Sequence, residues 1–176
     1  MDFNQNYFEI FQLPVSFDLD EDQLAARHRQ LQSTVHPDKF VSATDHEKRL
    51  SLQWATQINS AYDTLRAPLP RAIYLLALKD VNIEDNPQLD PMFLMEQIEL
   101  REQLEDIGEQ ADSEAALTSL DAFKANVDAR MAGLQLEFAA HYDADAGKAE
   151  QVVYKLQFIN KLRQAADHLE EKLLDY

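Results

Sequence analysis

Residues 20–66 read DEDQLAARHRQLQSTVHPDKFVSATDHEKRLSLQWATQINSAYDTLR, in which two helical patterns flank the short break His36-Pro37-Asp38-Lys39. Proline fixes its own φ and disfavours the α region for the residue before it, so we expect a helix to end at His36 and Asp38 to project from a stiff turn. Alone, such a turn is an ordinary connection. Without a neighbouring nucleophile or metal ligand, however, its carboxylate suits docking to a cationic group on another protein.

Both flanks of the break have the period of an α-helix. Before it, the apolar face recurs every three or four residues, at Leu24, His28, Leu31 and Val35. After it, Thr44 and Glu47 form a capping-box pattern, and the apolar face continues through Leu50, Trp54, Ile58, Ala61 and Leu65. Asp20 and Gln23 form a similar pattern at the start of the first segment. The sequence therefore predicts two antiparallel helices that present the turn.

In this arrangement the chain resembles the J-domain of the DnaJ-type co-chaperones over roughly its first 78 residues. The matching features are a short first helix at Tyr7–Leu13, the His-Pro-Asp loop, and a closing set formed by Ala61, Tyr62, Leu65, Pro68, Arg71 and Tyr74. The resemblance implies that residues 1–78 bind the ATPase domain of a DnaK-type chaperone and trigger ATP hydrolysis there. It also implies that this chain is not itself an enzyme.

The resemblance implies a chaperone-binding set on the loop and on the helix before it. Its members are His36, Pro37, Asp38, Lys39, Arg27 and Arg29. In such domains the helix before the loop is richly basic, whereas Arg27 and Arg29 are the only cationic residues near its middle here. This departure suggests a dedicated chaperone partner instead of a general one.

Composition limits the class of protein and the class of partner. The 176 residues include only three glycines and carry a net charge of −16, and with few β-branched runs they predict an all-α fold of one or two small domains. Residues 79–176 hold nine basic and 22 acidic side chains, a net charge of −13. That sign argues against nucleic acid as a ligand and favours a partly basic protein surface.

Metal and thiol chemistry have no sequence support. Cysteine is absent, which excludes disulfides and thiolate ligands, and the five histidines form neither a His-x-x-x-His nor a His-Glu-x-x-His pair. We therefore expect no metal, no cofactor and no hydrolase activity. The first residues lack the pattern of a signal peptide, and the longest apolar run, 72–78, is too short to span a bilayer, so a cytoplasmic location is expected.

The second part of the chain is predicted to be an antiparallel three-helix bundle at 91–176, joined by a polar linker at 79–90. Its first helix begins with Asp90 and Pro91 and runs to Gly108. The second begins near Asp112 or Ser113, with Leu117, Leu120, Val127, Met131, Leu134 and Phe138 inward. The third follows Gly147, with Val152, Ile159, Leu162, Ala166, Leu169 and Leu173 inward.

The first bundle helix has apolar residues on two sides. At about 100° per residue, its core face is formed by Phe93, Leu100, Leu104 and Ile107. Leu94, Met95 and Ile98 lie on the far side, which also carries the acidic residues Glu99, Glu102, Glu105, Asp106 and Glu109. An apolar centre with a charged rim is typical of a protein-binding patch. Alternatively, Leu94 and Ile98 belong to a wide core stripe.

A second candidate for this patch lies on the third bundle helix. Phe158, one turn after Tyr154, either flanks the patch or is core.

With this second part included, nearly the whole chain is similar to the J-domain co-chaperones of iron–sulfur cluster assembly. The resemblance rests on the segments FLMEQIELRE at 93–102, KLQFINKLR at 155–163 and LEEKLLD at 169–175. It implies that the bundle binds an IscU-type iron–sulfur scaffold protein and delivers it to a HscA/DnaK-type ATPase chaperone. The implied scaffold-binding residues are Leu94, Met95, Ile98, Glu99, Glu102, Asp106 and Phe158. A helical interaction or oligomerisation protein without a chaperone partner is the alternative.

Overall fold

The computed structural model describes residues 4–36, 39, 43–84 and 87–174, and in these residues the secondary structure is seven α-helices without a β-strand. The helices are α1 (Tyr7–Ile10), α2 (Glu21–Val35), α3 (Asp45–Arg66), α4 (Pro68–Ala77), α5 (Pro91–Gly108), α6 (Ser113–Tyr142) and α7 (Ala146–Leu174). The predicted all-α class is confirmed. The chain divides into two compact units, Met1–Leu78 and Lys79–Tyr176. Among the described helices, none has the length and apolar character that a membrane span requires.

In the first unit, α2 and α3 form the predicted antiparallel pair. Ser51, near the start of α3, donates a hydrogen bond of 2.7 Å to the carbonyl of Val35 at the end of α2. Near the other end of the pair, the ring of His28 stacks on Tyr62 with 4.0 Å between the centroids. The Thr44 and Glu47 capping box is complete. One prediction for the α3 core face is wrong: Leu50 is 38% exposed, and Ser51 occupies the buried position beside it.

Helix α1 is shorter than the predicted 7–13. It starts with a complete capping box between Asn6 and Glu9 and ends at Ile10, because Gln12 takes a positive φ of 53° and Leu13 precedes a proline. The ring of Tyr7 stacks on Tyr74 at 4.4 Å, and the Tyr74 hydroxyl accepts a hydrogen bond of 2.9 Å from the Tyr7 backbone N–H. Burial raises the pKa of Tyr74. Helix α4 thus holds α1 in place.

Arg71 of α4 is a buried cation that belongs to the fold of the first unit. Its Nη1 donates to the Leu65 carbonyl at 3.0 Å and lies 3.8 Å from a carboxylate oxygen of Glu21, while the guanidinium lies 5.1 Å from the ring centre of Phe17. Burial lowers the pKa of Arg71, and the nearby Glu21 carboxylate opposes that shift. The side chain therefore joins the end of α3 to α2.

The second unit contains the three predicted bundle helices, with one boundary corrected. Helix α5 begins after the N-cap Asp90, and α6 after the N-cap Asp112. Helix α7 begins at Ala146, one residue before Gly147 and not after it. The reason is that Asp145 accepts a hydrogen bond of 3.0 Å from the Lys148 backbone N–H and so acts as the N-cap.

The bundle core is larger than the predicted faces. One buried cluster joins all three helices through Leu100, Leu104, Ile107, Leu120, Phe123, Val127, Ile159, Leu162 and Ala166. Phe123 was not predicted, and neither were the buried Val153, Tyr154 and Leu156 of α7. The two long helices α6 and α7 pack against each other and against α5, so each needs an apolar stripe wider than one row.

Ion pairs at the surface fix α6 against α7. Lys124 of α6 lies 2.8 Å from Glu170 and 3.1 Å from Asp167. Arg163 of α7 pairs with Asp128 at 2.7 Å and with Asp167. Burial opposes ionisation of Asp167, but hydrogen bonds from Arg163 and Lys124 outweigh it and lower the pKa of this carboxyl group.

The segment that precedes α5 is attached to the bundle at two points. The Nζ atom of Lys79 donates to the Tyr142 carbonyl at 2.5 Å and lies 3.9 Å from the centre of the Tyr142 ring. The backbone N–H of Glu84 donates to the Tyr154 hydroxyl at 2.8 Å. Lys79 and Glu84 are therefore held against α6 and α7 of the bundle.

Candidate protein-binding sites

The predicted chaperone-binding loop begins where α2 ends. His36 is the C-cap of α2, with φ −60° and ψ 132°, and is exposed. This extended backbone fits the restriction that a following proline imposes. Lys39 is exposed, and its backbone N–H donates to the His36 carbonyl at 3.0 Å. Pro37 and Asp38 lie outside the described residues.

The two arginines of the predicted chaperone-binding set have different environments. Arg27 is half-buried, and its Nη1 donates a hydrogen bond of 2.7 Å to the side-chain carbonyl of Gln12. Arg29 is exposed on the same helix. The structure thus uses Arg27 to attach α2 to the turn after α1, and leaves the guanidinium of Arg29 accessible.

Ser51 supports the end of α2, just before His36. A carbonyl in the last turn of a helix lacks an intrahelical partner, and for Val35 the buried hydroxyl of Ser51 supplies one. Helix α3 therefore positions the residue that precedes the loop.

We expect Ser51→Ala to lower the free energy of unfolding by about 1–2 kcal/mol, because the Val35 carbonyl would lose a buried donor. Urea unfolding measures this effect. The matched control is Ser60→Ala on the exposed side of α3, for which a change below about 0.5 kcal/mol is expected. Equal stability of the two variants would contradict the assigned role of Ser51.

In the bundle, the apolar residues on the far side of α5 are exposed. The exposed fraction is 39% for Leu94, 62% for Met95 and 59% for Ile98. The alternative interpretation, in which Leu94 and Ile98 are ordinary core, is therefore wrong. Glu99, Glu102 and Asp106 are exposed on the same helix. An apolar cluster in an acidic field is present at the surface, as the helical spacing predicted.

A groove of about 480 Å³ runs between α5 and α7 beside this cluster. Its α5 side is formed by Leu94, Gln97, Ile98, Arg101, Glu102 and Glu105, and its α7 side by Phe158 and Leu162. Phe158 is half-buried, with its ring edge-to-face against Phe93 at 6.1 Å. The Nζ atom of Lys155 lies 5.6 Å from the centre of the Phe93 ring. Phe93 thus supports the aromatic wall of the groove.

The groove and the predicted scaffold-binding set overlap in part. Leu94, Ile98, Glu102 and Phe158 line the groove. The other predicted members, Met95, Glu99 and Asp106, are exposed on α5 but are not among the lining residues. The groove also includes four residues outside the predicted scaffold-binding set, namely Gln97, Arg101, Glu105 and Leu162. Spacing had already placed Glu105 on the acidic side of α5, and it could also have indicated Arg101, which follows Leu94 and Ile98 on that side of the helix.

The groove has the chemistry of a recognition surface. It is lined by the apolar side chains of Leu94, Ile98, Phe158 and Leu162 and by the charged residues Arg101, Glu102 and Glu105. Within the described ranges, no group of three or more acidic or histidine side chains is placed to hold a metal ion. An apolar centre supplies affinity and a charged rim supplies orientation, so the arrangement fits a protein ligand with basic residues near an apolar one.

Comparisons with known proteins agree with this architecture. The family model described as the HSCB C-terminal oligomerisation domain matches residues 89–167. Co-chaperone protein HscB homologs from Vibrio cholerae and Shewanella pealeana are 40% and 41% identical, and the matches cover 96% and 97% of this chain and 99% of each relative.

Solved structures show the same relationship. Chaperone HscB from Vibrio cholerae has a TM-score of 0.87 and 39% identity, covering 96% of this chain and 99% of that one. Human co-chaperone protein HscB has a TM-score of 0.86 and 30% identity, covering 96% and 83%. The Jac1 co-chaperone from Saccharomyces cerevisiae, with a TM-score of 0.68 and 20% identity over 93% and 97%, shares the fold. The chain therefore belongs to the HscB co-chaperone family.

Proposed function

We propose that this co-chaperone binds an IscU-type iron–sulfur scaffold protein, delivers it to a HscA/DnaK-type chaperone and stimulates the ATPase of that chaperone during cluster assembly or transfer. The observation that carries the proposal is the groove lined by apolar and acidic residues, located in the unit that does not contain the J-domain. One chain then offers two separate protein-binding surfaces, as delivery of a client requires.

The first surface is the loop after α2. His36, Pro37, Asp38 and Lys39, with Arg27 and Arg29, would contact the ATPase domain of the chaperone. The exposure of His36 and Arg29 supports this assignment. Residues 79–90 would then link the ATPase-binding unit, 1–78, to the scaffold-binding bundle, 91–176.

The second surface is the groove of the bundle and the acidic side of α5. Leu94, Ile98 and Phe158 would bury apolar side chains of the scaffold, and Met95 would extend that contact. Glu99, Glu102 and Asp106 would orient basic side chains around it. The net charge of −13 in residues 79–176 supports a partner with a basic face.

Tethering supplies the mechanism. A scaffold held by the bundle is present at a high effective concentration beside the chaperone that the J-domain engages, so the second binding event becomes intramolecular. The chain makes and breaks no bond in this scheme. Because the chain has no cysteine, thiolates for an iron–sulfur cluster would come from the scaffold. We place this activity in the cytoplasm.

Self-association is the second candidate function, favoured by the description of the matching family model as an oligomerisation domain. A second copy would cover the same exposed Leu94 and Ile98. Light scattering tests this alternative: a dimer that persists at micromolar concentration and is lost when both residues become serine would favour self-association over scaffold binding.

Steady-state ATP hydrolysis by the HscA-type chaperone tests the proposed function directly. The assay compares the chaperone alone, with this protein, with the scaffold, and with both. We expect stimulation by this protein and a further rise when the scaffold is added. Stimulation without synergy would remove the scaffold as the client. The absence of any stimulation would contradict the chaperone assignment.

A further inference from the structure

One polar residue interrupts the core stripe of α5. Phe93, Gln97, Leu100, Leu104 and Ile107 follow each other at alternating spacings of four and three residues. The last three of them are buried, and Phe93 and Gln97 are half-buried. An apolar side chain at 97 would extend the core, whereas a polar group there carries a desolvation cost unless it is bonded. Folding alone does not account for a glutamine at this position.

The amide nitrogen of Gln97 has no hydrogen-bond acceptor in the part of the chain that the structure describes. Its Nε2 atom is buried, and no acceptor among the described residues lies within hydrogen-bonding distance. Folded proteins satisfy the great majority of such buried groups, so an orphan donor calls for an explanation. Gln97 also lines the groove between α5 and α7, together with Leu94, Ile98 and Phe158. Gln97 therefore carries an unsatisfied donor and also forms part of the groove wall.

We infer that Gln97 is a specificity-determining residue: when a scaffold segment enters the groove, the Gln97 amide turns about its last side-chain torsion and donates a hydrogen bond to a backbone carbonyl of that segment. This inference rests on the proposed function and deepens it. Glu102 and Glu105 line the same groove beside a single cation, Arg101, so the lining residues carry a net charge of −1 and disfavour a carboxylate as the acceptor. A neutral carbonyl oxygen fits this field better.

The acceptor also restricts the shape of the bound segment. Carbonyls inside a helix already accept intrahelical hydrogen bonds, whereas those of a loop or an edge strand are available. The groove thus selects a loop or an edge strand of the scaffold. This segment would carry an apolar side chain that packs against Leu94, Ile98 and Phe158. A basic side chain next to it would face Glu102 and Glu105.

The test compares Gln97→Met, which keeps the length of the side chain but removes the donor, with Gln103→Met, the same change at an exposed position of α5. Binding of the purified IscU-type scaffold is measured by calorimetry, and the melting temperature of each variant is measured alone. We expect Gln97→Met to weaken scaffold binding about tenfold without a lower melting temperature, because only the bound state loses a hydrogen bond. Gln103→Met should bind like the parent protein.

A spectroscopic measurement separates a direct hydrogen bond from an indirect effect. In ¹⁵N-labelled protein, the side-chain amide signal of Gln97 is assigned by its absence in Gln97→Met, and we expect one of its protons to shift downfield when the scaffold is added. Unchanged affinity of Gln97→Met, or weaker binding with a lower melting temperature, would overturn the inference while leaving the proposed function intact. A parent protein that does not bind the scaffold would overturn both.

Discussion

Replacing His36 by glutamine is expected to reduce stimulation of the HscA-type ATPase at least about tenfold, the effect of losing one hot-spot contact worth roughly 1.4 kcal/mol or more. His36 is exposed at the C-cap of α2 and its backbone is already extended. We therefore expect the substitution to leave helix α2 intact. It removes the imidazole ring of a residue that the family resemblance assigns to the contact with the chaperone.

His46→Gln is the matched control for His36→Gln. His46 is exposed in the first turn of α3, in the same unit and outside the predicted contact set. Steady-state ATPase assays should show normal stimulation by His46→Gln and strongly reduced stimulation by His36→Gln, with equal melting temperatures. Normal stimulation by His36→Gln would remove the loop from the chaperone contact.

The second large effect concerns the groove of the bundle. Replacing Leu94, Ile98 and Phe158 together by alanine is expected to weaken scaffold binding at least about 100-fold, since apolar anchors at the centre of an interface contribute roughly 1–2 kcal/mol each. Stimulation of the chaperone ATPase in the absence of scaffold should be unchanged, because the predicted chaperone contact lies in the other unit. Calorimetry with the scaffold and the ATPase assay measure the two quantities.

Two controls make this experiment decisive. Leu136→Ala removes a leucine that is exposed on α6, and it should leave scaffold binding unchanged. The double variant Leu94→Ser with Ile98→Ser changes exposed side chains only. It tests the groove without replacing the half-buried Phe158, whose loss would lower the stability of the bundle. If the scaffold bound the groove variant as tightly as the parent protein, the assignment of the groove would be wrong.

Individual helices could be predicted because their signals are local. The caps Asp20, Thr44, Asp90 and Asp112 lie within three residues of the backbone groups that they satisfy, so their patterns are visible in the sequence. Where two local signals competed, the prediction failed. Gly147 suggested a helix boundary, but Asp145 offered a stronger cap and α7 begins before the glycine.

The amino-acid sequence by itself determined the helical class, the antiparallel pair around the loop, and the apolar residues on the acidic side of α5. Each of these depends on spacing within one segment. Only the tertiary structure decided that Phe158 and Leu162 of α7 meet α5 to form a groove, and that the amide nitrogen of Gln97 has no acceptor among the described residues. The reason is physical: the periodicity of a helix defines which face is apolar, but the ridges and grooves of two packed helices decide which residues, some 60 positions apart, come into contact.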